Sequence, residues 1–216
     1  MLPIDSRKSI KVFIGYAHTD KKLCLKLEEH LSSLKHSEKI TIWCDQEIPA
    51  GANWEDQINT HLNEADVILL LVSRSFIASK YCWSKEVQMA LKRHEDGNAR
   101  VIPIILRHVS WQDTPLGKLQ ALPAGGKPVT KWNDQDEAFE NVVRGIRKVV
   151  EDLQVESQEK RAIREEISLD AKQEGFTQKR TDEVFNAGLL VARYKKPNTV
   201  ITNVKVSKDK IQYDEA

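Results

Sequence analysis

The sequence predicts an α/β fold: an open parallel five-stranded sheet with helices on both faces, plus a C-terminal extension. Three observations carry this reading. Apolar, β-branched runs alternate with stretches of helical periodicity five times between residues 8 and 153. The run Asp66–Val72 (DVILLLV) is apolar at every position after the first, as a strand covered on both sheet faces must be. From residue 154 dense charge replaces the alternation, so the chain divides into a domain over 8–153 and an extension over 154–216.

Ile10–Tyr16 (IKVFIGY) reads as the first, buried strand. In DKKLCLKLEEHLSSLK, Leu23, Leu27, Leu31 and Leu34 recur at helical spacing, so one face packs and the rest meets solvent. Lys39–Trp43 alternates as a short second strand, and CDQEIPAGAN is a Pro/Gly-punctuated loop. Trp54, Ile58 and Leu62 mark a second helix. The third strand follows, then a connector over Ser73–Ala78 and a third helix over Cys82–His94 with Val87, Ala90 and Leu91 inward. RVIPIIL is the fourth strand and PVTKW a short fifth. DQDEAFENVVRGIRKVVEDL is a strongly amphipathic helix, with Asp134 and Glu137 spaced as a capping box. In the extension, ESQEKRAIREEISLDAKQEG is a solvated helix or linker, and Thr199–Val206 is an alternating run that fits no motif.

Composition narrows the function classes. A net charge of +1 gives neither a nucleic-acid footprint nor a membrane-surface patch. MLPIDSRKSIKVF lacks the apolar stretch of a secretory signal, and no apolar run could span a bilayer, which predicts a cytoplasmic protein without membrane attachment. Cys24, Cys44 and Cys82 are scattered, as are the six histidines, so neither a disulfide framework nor a metal site is expected. Gly125, Gly126 and Lys127 lack the rest of a phosphate loop, and neither GxGxxG nor GxSxG occurs. The third strand ends in LLLVSRS, with no phosphoacceptor aspartate. Open parallel sheets bind ligands at the carboxyl ends of their strands, which directs attention to the loops after strands one to three.

Those loops carry a resemblance. KVFIGYAHTD resembles the first-strand signature of Toll/interleukin-1 receptor (TIR) domains, usually written with FISY. WCDQEIPAGANWEDQI resembles their second strand and BB loop. ADVILLLVSRSFIASKYCWSKEV resembles the third strand and following helix, and RVIPIILRHVSWQDTPLGKLQALP the fourth strand of bacterial members. The resemblance covers residues 8–153 and implies a flavodoxin-like arrangement. Gly15 stands where the family usually has serine. Three residues separate Cys82 from Glu86, where relatives read aromatic-Cys-x-x-Glu, so Trp83 or Tyr81 supplies the aromatic.

Catalytic members resembling this chain cleave the nicotinamide–ribose bond of NAD with one glutamate on the helix after strand three, here Glu86. A glycosidase commonly needs two carboxylates. Nicotinamide leaves as a neutral molecule, so a single carboxylate that holds the ribose and supports the developing cation suffices. NAD is thus expected as substrate, with no cofactor and no metal. The resemblance places Phe13, Gly15, Tyr16, Trp43, Asp45 and Trp83 around NAD, and Ile48, Pro49 and Gly51 in the BB loop that packs on a neighbouring subunit. Each also has a plainer reading: Phe13 as core, Asp45 as an Asx turn, Trp43 as a cap on the sheet, Glu86 as one more acid on a charged helix. Homotypic TIR–TIR assembly, with an activator protein or ligand, is expected in signalling or anti-phage defence. The alternatives are a non-enzymatic TIR adaptor and an effector that mimics host TIR domains.

Overall fold

The computed structural model describes residues 9–44, 53–79, 85–173, 201–206 and 211–215. The chain divides into two compact units, Met1–Leu153 and Gln154–Ala216. In the first, β1 (Ile10–Gly15), β2 (Ile40–Trp43), β3 (Val67–Val72) and β4 (Arg100–Ile105) form one sheet in the order β2-β1-β3-β4. Every pairing is parallel, and the register sets Phe13 beside Trp43, Gly15 beside Leu70 and Val72 beside Ile105.

Side chains alternate across a strand, so each strand serves two cores. Val12, Ile14, Leu69, Leu71, Ile102 and Ile104 pack under α1 (Lys21–His30), α2 (Ser32–His36) and the first part of α6 (Gln135–Gln173), through Leu23, Leu27, Leu34, Phe139, Val142 and Ile146. Phe13, Ile68, Leu70, Val72, Val101 and Ile105 pack under α3 (Trp54–Glu64), α4 (Arg74–Ala78) and α5 (Val87–Glu95), through Ile58, Leu62, Phe76, Val87 and Ala90. β3 is buried at all six positions, as its unbroken apolar run requires.

Local chemistry sets the helix ends. Asn53 accepts from the Glu55 amide at 3.2 Å, and Ser73 accepts from the Phe76 amide at 3.1 Å, two side-chain N-caps. The first helical stretch is divided at Leu31 into α1 and α2. Arg93 donates through Nη1 to the carbonyls of Leu62 and Ala65 and through Nη2 to Asn98, which ties the end of α3 to the turn before β4. Burial lowers the pKa of this guanidinium, with the Asp66 carboxylate opposing the shift.

Three expectations are corrected. PVTKW is a short 3-10 turn at Val129–Lys131, so the described sheet has four strands rather than five. The chain touches the β4 edge through a single bridge between Ile104 and Leu122. Pro123 and Pro128 then flank the path, and neither can donate to a ladder. Asp134 caps α6 by accepting from the Asp136 amide at 2.8 Å, but Glu137 returns no bond, so the cap is one-sided. The connector after β3 is itself the short helix α4.

The second unit holds the remainder of α6 and an antiparallel hairpin of β5 (Ile201–Val206) and β6 (Ile211–Glu215). The alternating run is the first hairpin strand. IQYDEA carries too few apolar positions to announce the second. No helix among the described residues is long and apolar enough to cross a membrane.

Candidate functional site

Glu86 lies in the turn that opens α5, on a segment where Lys85 and Gln88 are exposed. A glutamate in such a setting ordinarily faces water. Here the residue is 5% exposed. Its position follows from the register: β1 ends at Gly15 beside Leu70, and α5 packs on the same sheet face through Val87 and Ala90. The Glu86 carboxylate then settles over the end of β1. A methyl group built on Gly15 would stand 3.0 Å from Glu86 Oε2, 3.2 Å from Leu70 Cδ2 and 3.3 Å from Phe13 Cε1. A glycine there lets the carboxylate approach the strand backbone, and the Leu70 and Phe13 side chains keep the approach dry. The helix turn is also tethered sideways, because Lys85 Nζ donates to Glu55 in the first turn of α3.

Phe13 is buried beneath this corner, consistent with its plainer reading as core. Its ring stacks on Trp43 with centroids 5.4 Å apart, and Trp43 stacks in turn on His61 of α3 at 4.3 Å. Trp43 is therefore held by two rings at the end of β2. Tyr16 follows β1 and packs in the other core, with Val12 and Ile14. Asp45, Ile48, Pro49, Gly51 and Trp83 lie outside the described residues, as do Tyr81 and Cys82; of Trp54 only the backbone start of α3 is described.

Sequence reasoning missed two features of this edge. His61 is one, a helix residue whose ring contact depends on the β2–α3 distance and has no local signal. The other is a buried polar chain. Asp20, 1% exposed, accepts from Ser73 Oγ at 2.5 Å through Oδ2 and from Arg107 Nε at 2.8 Å through Oδ1. It precedes α1 but makes no side-chain cap there. Its partners lie 53 and 87 residues away in the chain, so no local signal names them. The three residues follow β1, β3 and β4, so one carboxylate joins three strand ends. Among the described residues no cluster of histidine, cysteine and acid could hold a metal ion. The thiols of Cys24 and Cys44 instead both donate to Glu28 Oε1, at 3.6 and 3.4 Å.

Comparison with known proteins agrees with this architecture. Over 136 residues the chain is 49% identical to the uncharacterized protein y4lF of Sinorhizobium fredii. That alignment takes in 63% of this chain but 42% of the relative, so the chain spans less than half the relative's length. The family model described as the TIR domain matches residues 12–143, which include β2, β3, β4 and all but the first two residues of β1, together with Glu86 and the Asp20–Ser73–Arg107 chain. The chain belongs to the TIR domain family.

Proposed function

We propose that this protein is an NAD+ nucleosidase that breaks the nicotinamide–ribose bond, with Glu86 as its catalytic carboxylate. The observation that carries the reading is the burial of Glu86 over Gly15, at the edge of the sheet where open α/β folds take their ligands. A carboxylate is costly to bury, and a helix with exposed positions beside it offers an easier place. An acid held there, beside hydrocarbon, is suited to a cationic transition state.

The step balances without a cofactor. The bond between ribose C1′ and the pyridinium nitrogen breaks, and its electron pair leaves with nicotinamide, which becomes neutral. The positive charge moves to the ribose as an oxocarbenium ion, which the Glu86 carboxylate stabilises while accepting from ribose hydroxyls. Water adds at C1′ and releases its proton to solvent, giving ADP-ribose; attack by a ring nitrogen of the adenine instead gives a cyclic product. Trp43 and Phe13 border the corner, and Asp45 and Trp83 are assigned to the substrate in the same reading. Self-assembly through the BB loop, with Ile48, Pro49 and Gly51, completes the site, and an activator protein or ligand would promote it. A cytoplasmic place in signalling or defence belongs to this reading, since NAD is at hand there.

The test is nicotinamide release from NAD by the full chain over a wide range of protein concentration. Release whose specific rate rises with concentration is expected. A flat specific rate removes the assembly step. No release from the folded protein at high concentration, with crowding agents added, removes the enzyme. The adaptor reading then takes its place, in which Pro49 or Gly51 substitutions abolish function and Glu86→Gln is harmless.

A further inference from the structure

Arg107 stands two residues past β4, and its side chain is 50% exposed. We propose that Arg107 is an anion-recognition residue that takes the diphosphate of a dinucleotide substrate; this deepens, and rests on, the NAD-cleavage reading. The argument begins with how the guanidinium is held. Nε donates to Asp20 Oδ1 at 2.8 Å, and the two terminal nitrogens make no hydrogen bond among the described residues. A planar fork held through its inner nitrogen leaves its outer pair to face a bidentate acceptor such as a phosphate.

The support beneath is built. Asp20 is almost wholly buried, and its second oxygen accepts from Ser73 Oγ at 2.5 Å. Ser73, itself buried, accepts from the Phe76 amide at 3.1 Å. The orientation of Arg107 is thereby fixed through a dry chain reaching into β3 and α4. Ordering a charged side chain this way lowers the entropy lost when a ligand binds. The surroundings favour an anion. Asp20 is already covered by its two donors, and the neighbouring exposed positions include His18, Lys21, Lys22 and His108. No acidic residue occupies the first turn of α1.

Position then selects the diphosphate. Gly15, beneath Glu86, ends β1, and Asp20, beneath Arg107, lies five residues further along the chain. β3 supplies Leu70 to the first corner and Ser73 to the second. In NAD the only anionic part is the diphosphate, one ribose away from the bond that breaks. A ligand with its nicotinamide ribose at Glu86 and its diphosphate toward Arg107 would lie along the carboxyl edge of the sheet.

The test measures binding, not turnover. Full-length protein carrying Glu86→Gln is titrated calorimetrically, at high concentration, with NAD and with nicotinamide riboside, which lacks the diphosphate. Adding Arg107→Ala is expected to weaken NAD about 10- to 100-fold, the worth of charge-assisted hydrogen bonds. Nicotinamide riboside should stay within about twofold, because it never meets the fork. Inorganic pyrophosphate should compete with NAD only while Arg107 is present. Equal weakening of both ligands, or of neither, overturns the proposal and leaves the cleavage reading standing, with Arg107 as a clasp for the strand ends. Should Arg107→Ala not fold, Arg107→Lys applies the same comparison, with about tenfold expected for NAD because the point charge remains but the fork is lost. A protein that binds neither ligand and whose wild type releases no nicotinamide overturns both readings.

Discussion

Asp20 and Glu86 are the two acidic side chains that the described residues bury, at 1% and 5% exposure, and both lie at the carboxyl edge of the sheet. Their surroundings differ. Asp20 is gripped by a hydroxyl and a guanidinium arriving from two other strand ends. Glu86 Oε2 sits over a glycine, with Leu70 and Phe13 alongside. The first arrangement answers a structural need, since a buried acid that bonds its own segment to two others fixes the spacing of all three. The second keeps a carboxylate in a place shaped by the absence of a side chain. In the proposed reading one acid serves the frame and the other the chemistry the frame carries.

If that contrast holds, its strongest consequence is in stability at Asp20. Asp20→Ala should cost about 3 kcal/mol, because it strands the buried Ser73 hydroxyl and releases Arg107. The midpoint of urea unfolding should fall with the slope unchanged. A loss below about 0.5 kcal/mol, the range of an ordinary surface change, would dissolve the contrast. Gly15→Ser comes next. Its Cβ would meet Glu86 Oε2 at 3.0 Å, so the carboxylate must move outward. Nicotinamide release should drop about tenfold, as expected for a misplaced catalytic group, with a stability cost of about 1 kcal/mol. Unchanged release would mean that the carboxylate is not positioned by the glycine.

The smallest effect belongs to a surface control. Lys11 Nζ and Glu64 Oε2 are 2.7 Å apart, and both side chains are about half-exposed. Their hydrogen bond and charge attraction raise the pKa of Lys11 and lower that of Glu64. The pair's contribution is present at neutral pH. It is lost in acid as pH falls through the lowered Glu64 pKa, and in alkali as pH rises through the raised Lys11 pKa. Lys11→Met should therefore change the melting temperature slightly at pH 7 in low salt, and not at all in high salt. A loss comparable to that of Asp20→Ala would show that burial is not what separates the two kinds of acid.

How much of this was legible in the sequence follows from the range of each interaction. β3 announced itself because six buried positions need six apolar residues. Leu23, Leu27 and Leu34 of α1 and α2 did so because helical spacing is local. The supposed fifth strand failed for a reason also written in the chain: PVTKW has strand-forming residues, but its proline removes a donor and the Leu122 bridge already takes the β4 edge. Glu86 was singled out only through the family frame, since nothing in SKEV separates a buried acid from a solvated one. Its contact with Gly15 joins positions 71 residues apart and depends on sheet register. Asp20 and Arg107, 87 residues apart, were missed for the same reason.

The most direct test of the central claim pairs two readouts on one variant, Glu86→Gln, made at full length and compared with wild type at the same high concentration. Nicotinamide release and unfolding free energy are measured on the same preparation. The account predicts that release falls at least about 100-fold, as when a group supporting the transition state is removed, while stability is kept or rises, because a carboxylate reserved for chemistry contributes little to the fold. Release that persists in Glu86→Gln, or a loss of several kcal/mol like that expected at Asp20, would make Glu86 a second structural acid and contradict the account.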